Sequence, residues 1–255
     1  MDSKEIKKIK EQLESAADAY YNSDELIMSD EDFDKLKDKY ESLTNKKFSV
    51  GSPPRKDKKV VNVSHNYEHM VGTLSKVNTI EEFEKWLNNI EYNITKLLIT
   101  PKFDGNSICI EYKDKQVSLA LTRGRDGKGV DQTDTFSNRR VPYKNEMAVR
   151  YEAIINKKVF SDVIEEKRKE KGKDKNYANE RSLLAGILSD DNAKKYEKYI
   201  SLVPLSVSFK NIPISREKEI EVIEKIQSSK MFGNNIKNTF TIIENKKNNN
   251  SYLVK

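Results

Sequence analysis

The chain has one cysteine, Cys109, among 255 residues. No intrachain disulfide can form, and a structural zinc site of the four-cysteine type is excluded. Cys109 lies in the apolar run Ile108-Cys109-Ile110, where a free thiol reads as a small buried hydrophobe and not as a nucleophile. No apolar run approaches the ~20 residues that span a bilayer, so no membrane partner is expected. The N-terminal Met1-Asp2-Ser3-Lys4-Glu5 lacks the apolar core of a signal peptide. The expected compartment is the cytoplasm, of a cell or of a virus-infected host. No segment repeats at a fixed period.

Hydrophobic residues make up 36% of the chain and charged residues 35%, a balance that allows a real core under a hydrated surface. The net charge is +6, which is compatible with a polyanionic partner such as nucleic acid. Lysine-rich solvated surfaces have the same composition, so charge alone decides nothing.

The spacing Ile6, Ile9, Leu13, Ala16 or Ala17, Tyr20 predicts a helix over 4–21. Ser29-Asp30-Glu31-Asp32 reads as a second helix start, with Ser29 as N-cap. Phe33, Leu36, Tyr40 and Leu43 share one face of that helix. A helical hairpin over 1–45 is therefore expected, followed by a linker at Gly51-Ser52-Pro53-Pro54-Arg55. Thr79-Ile80-Glu81-Glu82 is another capping box, opening a helix expected to turn Phe83, Trp86, Leu87 and Ile90 inward. Beyond it, Ile108, Ile110 and Tyr112 alternate, as do Val117, Leu119 and Leu121 after a turn at Lys113-Asp114-Lys115. That pattern is a β-hairpin. Further strands are expected near 148–155 and 202–209, a solvated helix end or loop at Glu165–Lys175, a helix over 217–228, and a polar, flexible tail from Asn245 to Asn250. The fold class is α+β: a small N-terminal helical hairpin module, then a domain of antiparallel sheets and helices.

Two segments carry chemistry. Pro101-Lys102-Phe103-Asp104-Gly105 sits between two apolar strands. A lysine desolvated at a strand end becomes a usable nucleophile. An Asp two residues on shares its face of an extended chain, and Gly105 permits close approach to a phosphate. The plain alternative is a surface lysine before an Asp-Gly turn. Thr122-Arg123-Gly124-Arg125-Asp126-Gly127-Lys128-Gly129-Val130-Asp131 offers backbone N–H groups and arginines to a phosphate, or is an ordinary turn.

Taken together, these segments resemble the NAD-dependent DNA ligase family. The lysine-x-Asp-Gly signature of covalent nucleotidyltransferases stands as Lys102 to Gly105, and the Thr-Arg-Gly segment as Thr122-Arg123-Gly124. The upstream His…Leu-Ser signature runs from His69 to Leu74-Ser75, with His69 itself read as a scaffold residue. The acidic motif stands as Val149-Arg150-Tyr151-Glu152, and the Ala-Asn-x-Arg…Ala-Gly segment as Ala178-Asn179-Glu180-Arg181 with Ala185-Gly186. The N-terminal module that binds the nicotinamide mononucleotide half of NAD is matched by Tyr20-Tyr21-Asn22 and Ser29 through Asp34; ATP-dependent ligases lack it. The chain departs from the family at Tyr21 (usually His), Phe33 (usually Tyr), Thr100 (usually acidic) and Tyr151 (usually Gly).

The resemblance implies a nicotinamide-mononucleotide-binding module over 1–50 and an adenylation domain over 51–255. Lys102 would attack the α-phosphorus of NAD, giving lysyl-AMP and nicotinamide mononucleotide as the first step of nick sealing. Asp104 would orient the lysine, Glu152 would bind ribose or a metal ion, and Arg123 would contact nucleotide or DNA phosphate. Ser75, Lys76 and Gly105 would line the AMP site, with Phe209 as candidate adenine-stacking aromatic or else a core residue. Tyr20, Tyr21, Asp30, Phe33 and Asp34 would hold the nicotinamide half. Asn179 and Arg181 would contact DNA or phosphate. Mg²⁺ is the expected counter-ion, with no dedicated protein metal site, and nicked duplex DNA the expected partner. The family's later motifs have no match after Phe209, so the remainder of the catalytic domain and the oligonucleotide-binding fold are expected in a missing C-terminal region or a second chain, as in a split ligase. Two rivals stay open: an ATP-dependent ligase-type nucleotidyltransferase, and a non-catalytic basic nucleic-acid-binding relic of the fold.

Overall fold

The computed structural model describes residues 3–22, 27–48, 60–62, 77–91, 94, 96–123, 128–171, 177, 179–232, 235–245 and 252–254. Helices and antiparallel ladders make it an α+β protein. It divides into two units: Met1–Val71 with Phe103–Ile236, and Gly72–Lys102 with Lys237–Lys255.

In the first unit, α1 (Ser3–Asn22) and α2 (Asp30–Thr44) form the expected hairpin. Ile9, Leu13, Ala16 and Ala17 are buried at the predicted helical spacing. Phe33, Leu36, Tyr40 and Leu43 pack on the Ile9–Leu13–Phe48 cluster. The Ser29 hydroxyl accepts from Asp32 N–H at 3.1 Å and donates to the Asp32 carboxylate at 2.7 Å, so one side chain closes the start of α2. α1 packs in addition on α5 (Glu180–Leu188).

The body of this unit is a four-stranded sheet in the order β4-β3-β6-β7. Its strands are β3 (Asn106–Lys113), β4 (Gln116–Thr122), β6 (Met147–Ile155) and β7 (Ile200–Phe209). β3 and β4 are joined by a two-residue turn with Asp114 at φ 50° and Lys115 at φ 70°. Two residues of positive φ are what a tight hairpin needs to match strand twist. Alternation puts Ile108, Ile110, Tyr112, Met147, Val149, Tyr151 and Ala153 on one buried face. α5 covers β6 with Leu183, Leu184, Ala185, Ile187 and Leu188 buried. α6 (Arg216–Ser228) guards the edge strand, because Glu219 accepts from Val207 N–H at 2.7 Å. α4 (Phe160–Lys171) takes up most of the predicted charge run, and its Lys167 pairs with Asp190 at 3.1 Å, both side chains buried. A short ladder joins β1 (Val60–Asn62) to β5 (Lys128–Val130).

The second unit holds α3 (Ile80–Asn88) and the sheet β2-β8-β9, built from Lys96–Ile99, Thr241–Asn245 and Tyr252–Val254. Thr79 caps α3 as expected, accepting from Glu82 N–H at 3.2 Å. The inward packing expected of this helix is partial: Phe83, Leu87 and Ile90 are half-buried, while Trp86 is exposed. None of its residues is buried; Ile80 and Trp86 are exposed, and Phe83 stacks on Trp86 with ring centroids 5.7 Å apart. A unit this small has too little apolar area to enclose a whole helix face. Asn245 closes β8, and the rest of the predicted polar tail, 246–250, lies outside the described residues.

Candidate active site

Between β2 and β3 the chain runs as an irregular segment from Thr100 to Gly105. Lys102 is exposed and ends the first segment of the second unit; Phe103 opens the next segment of the first. Gly105 is buried against β6. A Cβ there would lie 2.1 Å from the Ala153 carbonyl oxygen and 2.6 Å from Ile154 Cγ2, so only glycine fits. Asp104 accepts from Arg181 Nη1 at 2.9 Å. Arg181 stands in the first turn of α5.

The sheet's other face carries the polar groups. Ser107 pairs with Glu152 and Cys109 with Arg150, so all four side chains share that face. Arg150 Nε donates to Ser107 Oγ at 3.3 Å. Arg123 N–H donates to the Ser107 carbonyl at 3.0 Å, which sets Arg123 beside the same residue. Burial lowers the Arg150 pKa, the neighbouring Arg123 charge lowers it further, and Glu152 opposes both. Two guanidiniums and one carboxylate thus converge at the end of β3 that leads back to Asp104. The guanidiniums can neutralise phosphate oxygens, and the carboxylate can accept ribose hydroxyls. Burial pushes the Cys109 thiol up to about 12, so it is an inert core group as its apolar run suggested.

Of the residues singled out in the sequence, the fold brings Asp104 to Arg181, and Arg123 to Glu152. It does not bring Phe209 to them. Phe209 pairs with Met147 at the far end of β6 and on the buried face, with its ring edge-on to Tyr143 at 5.7 Å. Phe209 is half-buried there. Asn179 is the N-cap of α5, its side chain accepting from Ser182 N–H at 2.8 Å within a capping box. Phe33 stands edge-on to Phe48 at 6.2 Å in the hairpin core, and Asp34 lies half-buried on α2. Tyr20 and Tyr21 fall in the last turn of α1 and Asp30 opens α2; their side chains lie outside the described residues. So do His69, Ser75, Lys76 and the Gly124–Gly127 loop. Arg150 was not singled out from the sequence, although its spacing of two from Glu152 put it on the same face. No group of three or more His, Cys, Asp or Glu side chains able to hold a metal occurs among the described residues.

The family model described as the NAD-dependent DNA ligase adenylation domain matches residues 58–252. The chain belongs to the NAD-dependent DNA ligase adenylation domain family. It is 31% identical over 222 residues to a DNA ligase of Campylobacter lari, covering 82% of this chain and 33% of the relative. It is 27% identical to a DNA ligase of Mycoplasma pneumoniae, covering 78% and 32%, and 30% identical to one of a Sulfurovum species, covering 69% and 29%. The chain spans about a third of the length of these curated relatives. The adenylation-domain match contains Lys102–Gly105, Arg123, Glu152 and Arg181. No helix among the described residues is long and apolar enough to cross a membrane.

Proposed function

We propose that Lys102 attacks the α-phosphorus of NAD, forming lysyl-AMP and releasing nicotinamide mononucleotide, as the first step of DNA nick sealing. The observation that carries this reading is the Lys102-Phe103-Asp104-Gly105 signature inside an adenylation-domain match over 58–252. The amine lone pair forms the N–P bond and the nitrogen loses a proton. The bond from the α-phosphorus to the bridging oxygen breaks, and that oxygen leaves with nicotinamide mononucleotide.

Asp104, Glu152 and Arg123 each have a part that their surroundings support. Asp104, fixed by Arg181, orients the loop that carries the lysine. Glu152 accepts ribose hydroxyls, and Arg123 faces the phosphate charge that grows in the transition state. Mg²⁺ would be held by one or two carboxylates together with substrate phosphates. Glu152 on the open face fits that mode, and when bound the ion supplies charge neutralisation. Gly105, Ser75 and Lys76 line the AMP site. The hairpin within residues 1–50 takes the nicotinamide half through Tyr20, Tyr21, Asp30, Phe33 and Asp34, and residues 51–255 take the adenylate half. Nicked duplex DNA is the eventual acceptor of AMP. Sealing would also call on sequence equivalent to the rest of the relatives, joined to this chain or carried on a second one. The reading places the protein in the cytoplasm.

The test is incubation with NAD labelled in its adenylate half and, separately, with labelled ATP. NAD alone should label the chain, on the peptide containing Lys102. Label from ATP alone would make the protein an ATP-dependent nucleotidyltransferase; no label from either would make it a non-catalytic relative.

A further inference from the structure

We propose that Arg181 is a positioning residue for the nucleophile loop: from the first turn of α5 it holds Asp104, and through Asp104 it sets how the lysine two residues upstream is presented. This rests on the adenylation reading above, and it differs from the DNA or phosphate contact that resemblance assigns to the same arginine.

The contact spans 77 positions of sequence, with Arg181 Nη1 at 2.9 Å from Asp104 Oδ1. Its two ends are unlike. The Arg181 side chain is 22% exposed and the Asp104 side chain 70%, so the anchored partner is the arginine and the held partner is the loop. α5 is a firm base. Its N-terminus is closed by reciprocal hydrogen bonds between Asn179 and Ser182, and its inner side buries five apolar residues. Gly186 lets the Tyr177 ring approach the helix, since a Cβ at that position would stand 2.7 Å from Tyr177 Cε1.

The loop is gripped on its other side too. Gly105 is seated on the Ala153 carbonyl, and Asn106 pairs with Ala153 at the start of the β3–β6 ladder. Three consecutive residues, 104 to 106, are therefore fixed by α5, by β6 and by the ladder. The first of these is the one nearest Lys102, and it alone is held by a side chain. An ion pair with so exposed a partner contributes little to global stability. What it offers is geometry, and reacting groups misplaced by about 1 Å can lose about 10²-fold in rate.

The experiment is single-turnover labelling of the full chain with adenylate-labelled NAD, with mapping to the Lys102 peptide and a thermal melt of each variant. Arg181→Gln should slow labelling by about 10- to 100-fold, with little change in the NAD concentration for half-maximal rate and little change in melting. Arg181→Lys, which keeps the charge, should recover part of the rate. Asp104→Asn breaks the same contact from its exposed end, and adding Arg181→Gln to it should cost no more than Asp104→Asn alone. Wild-type rate in Arg181→Gln overturns the proposal in favour of a later DNA or phosphate contact. So does a double variant that loses the product of the two single losses. A wild-type chain that takes no label from NAD overturns the adenylation reading itself, and this proposal with it.

Discussion

β3 and β6 are neighbours in one sheet, yet their two faces are chemically opposite. On one, Ile108, Ile110, Met147 and Val149 are fully buried, and the Tyr112 and Tyr151 hydroxyls meet at 3.1 Å. On the other, Ser107, Arg150 and Glu152 stand half-open beside Arg123. The period of two along a strand is what separates them. Buried apolar and half-buried charged groups alternate along the same nine-residue strand. The substitution of Tyr151 for the family's usual glycine shows the consequence. Its ring enters the core beside Tyr112, on the face opposite Glu152.

The separation can be broken from either face. Glu152→Gln should reduce NAD labelling by about 10²- to 10³-fold, the scale of losing one preorganised polar group in an active site, while melting stays within a few degrees of wild type. A folded Glu152→Gln chain that labels normally would remove Glu152 from the chemistry. From the core side, Ile110→Ala deletes a fully buried side chain and should cost ~2–5 kcal/mol in urea unfolding. The surviving folded fraction should label at a near-normal rate in the cold. A rate that collapses while the protein remains folded would show that the two faces are coupled.

The buried face has a pH signature as well. Burial raises the Cys109 thiol pKa from 9.0 to about 12 and raises those of the Tyr112 and Tyr151 phenols. A fold that prefers the protonated thiol has that preference in full below pH 9.0 and loses it as pH climbs toward about 12. Unfolding free energy should therefore fall across that window, and Cys109→Ala should remove part of the fall. Identical slopes in the two proteins would contradict the assignment. The smallest expected effect is at the hairpin: Ser29→Ala removes the cap of α2 and should cost about 1 kcal/mol by thermal melting.

Local physics was legible in the sequence, and long-range pairing was not. The capping residues Ser29 and Thr79, the apolar stripes of α1 and α2 and the alternation of β3 and β4 each depend on neighbours within a few positions. Loop-closure geometry decides the rest. β2 pairs with β8 across some 140 residues, and β1 with β5 across nearly 70, with no local signal for either. α3 carried a strong amphipathic pattern, of which Phe83, Leu87 and Ile90 are half-buried and Trp86 is not. At the candidate site, the signature motifs pointed to Asp104, Arg123 and Glu152. They did not show that Asn179 is taken up in capping, that Phe209 pairs with Met147 at the far end of β6, or that Arg181 reaches Asp104. Those depend on strand face and helix placement, which a motif does not encode. Arg150 was within reach of the sequence, since alternation alone puts it beside Glu152.

The most direct test of the account is intact-mass and peptide analysis of the full chain after incubation with NAD, alongside Lys102→Ala. The account predicts one adenylate added to the wild-type chain, localised to the peptide containing Lys102, and none on the variant. An adenylate that persists on Lys102→Ala, or that maps to another residue of the wild-type chain, would contradict it.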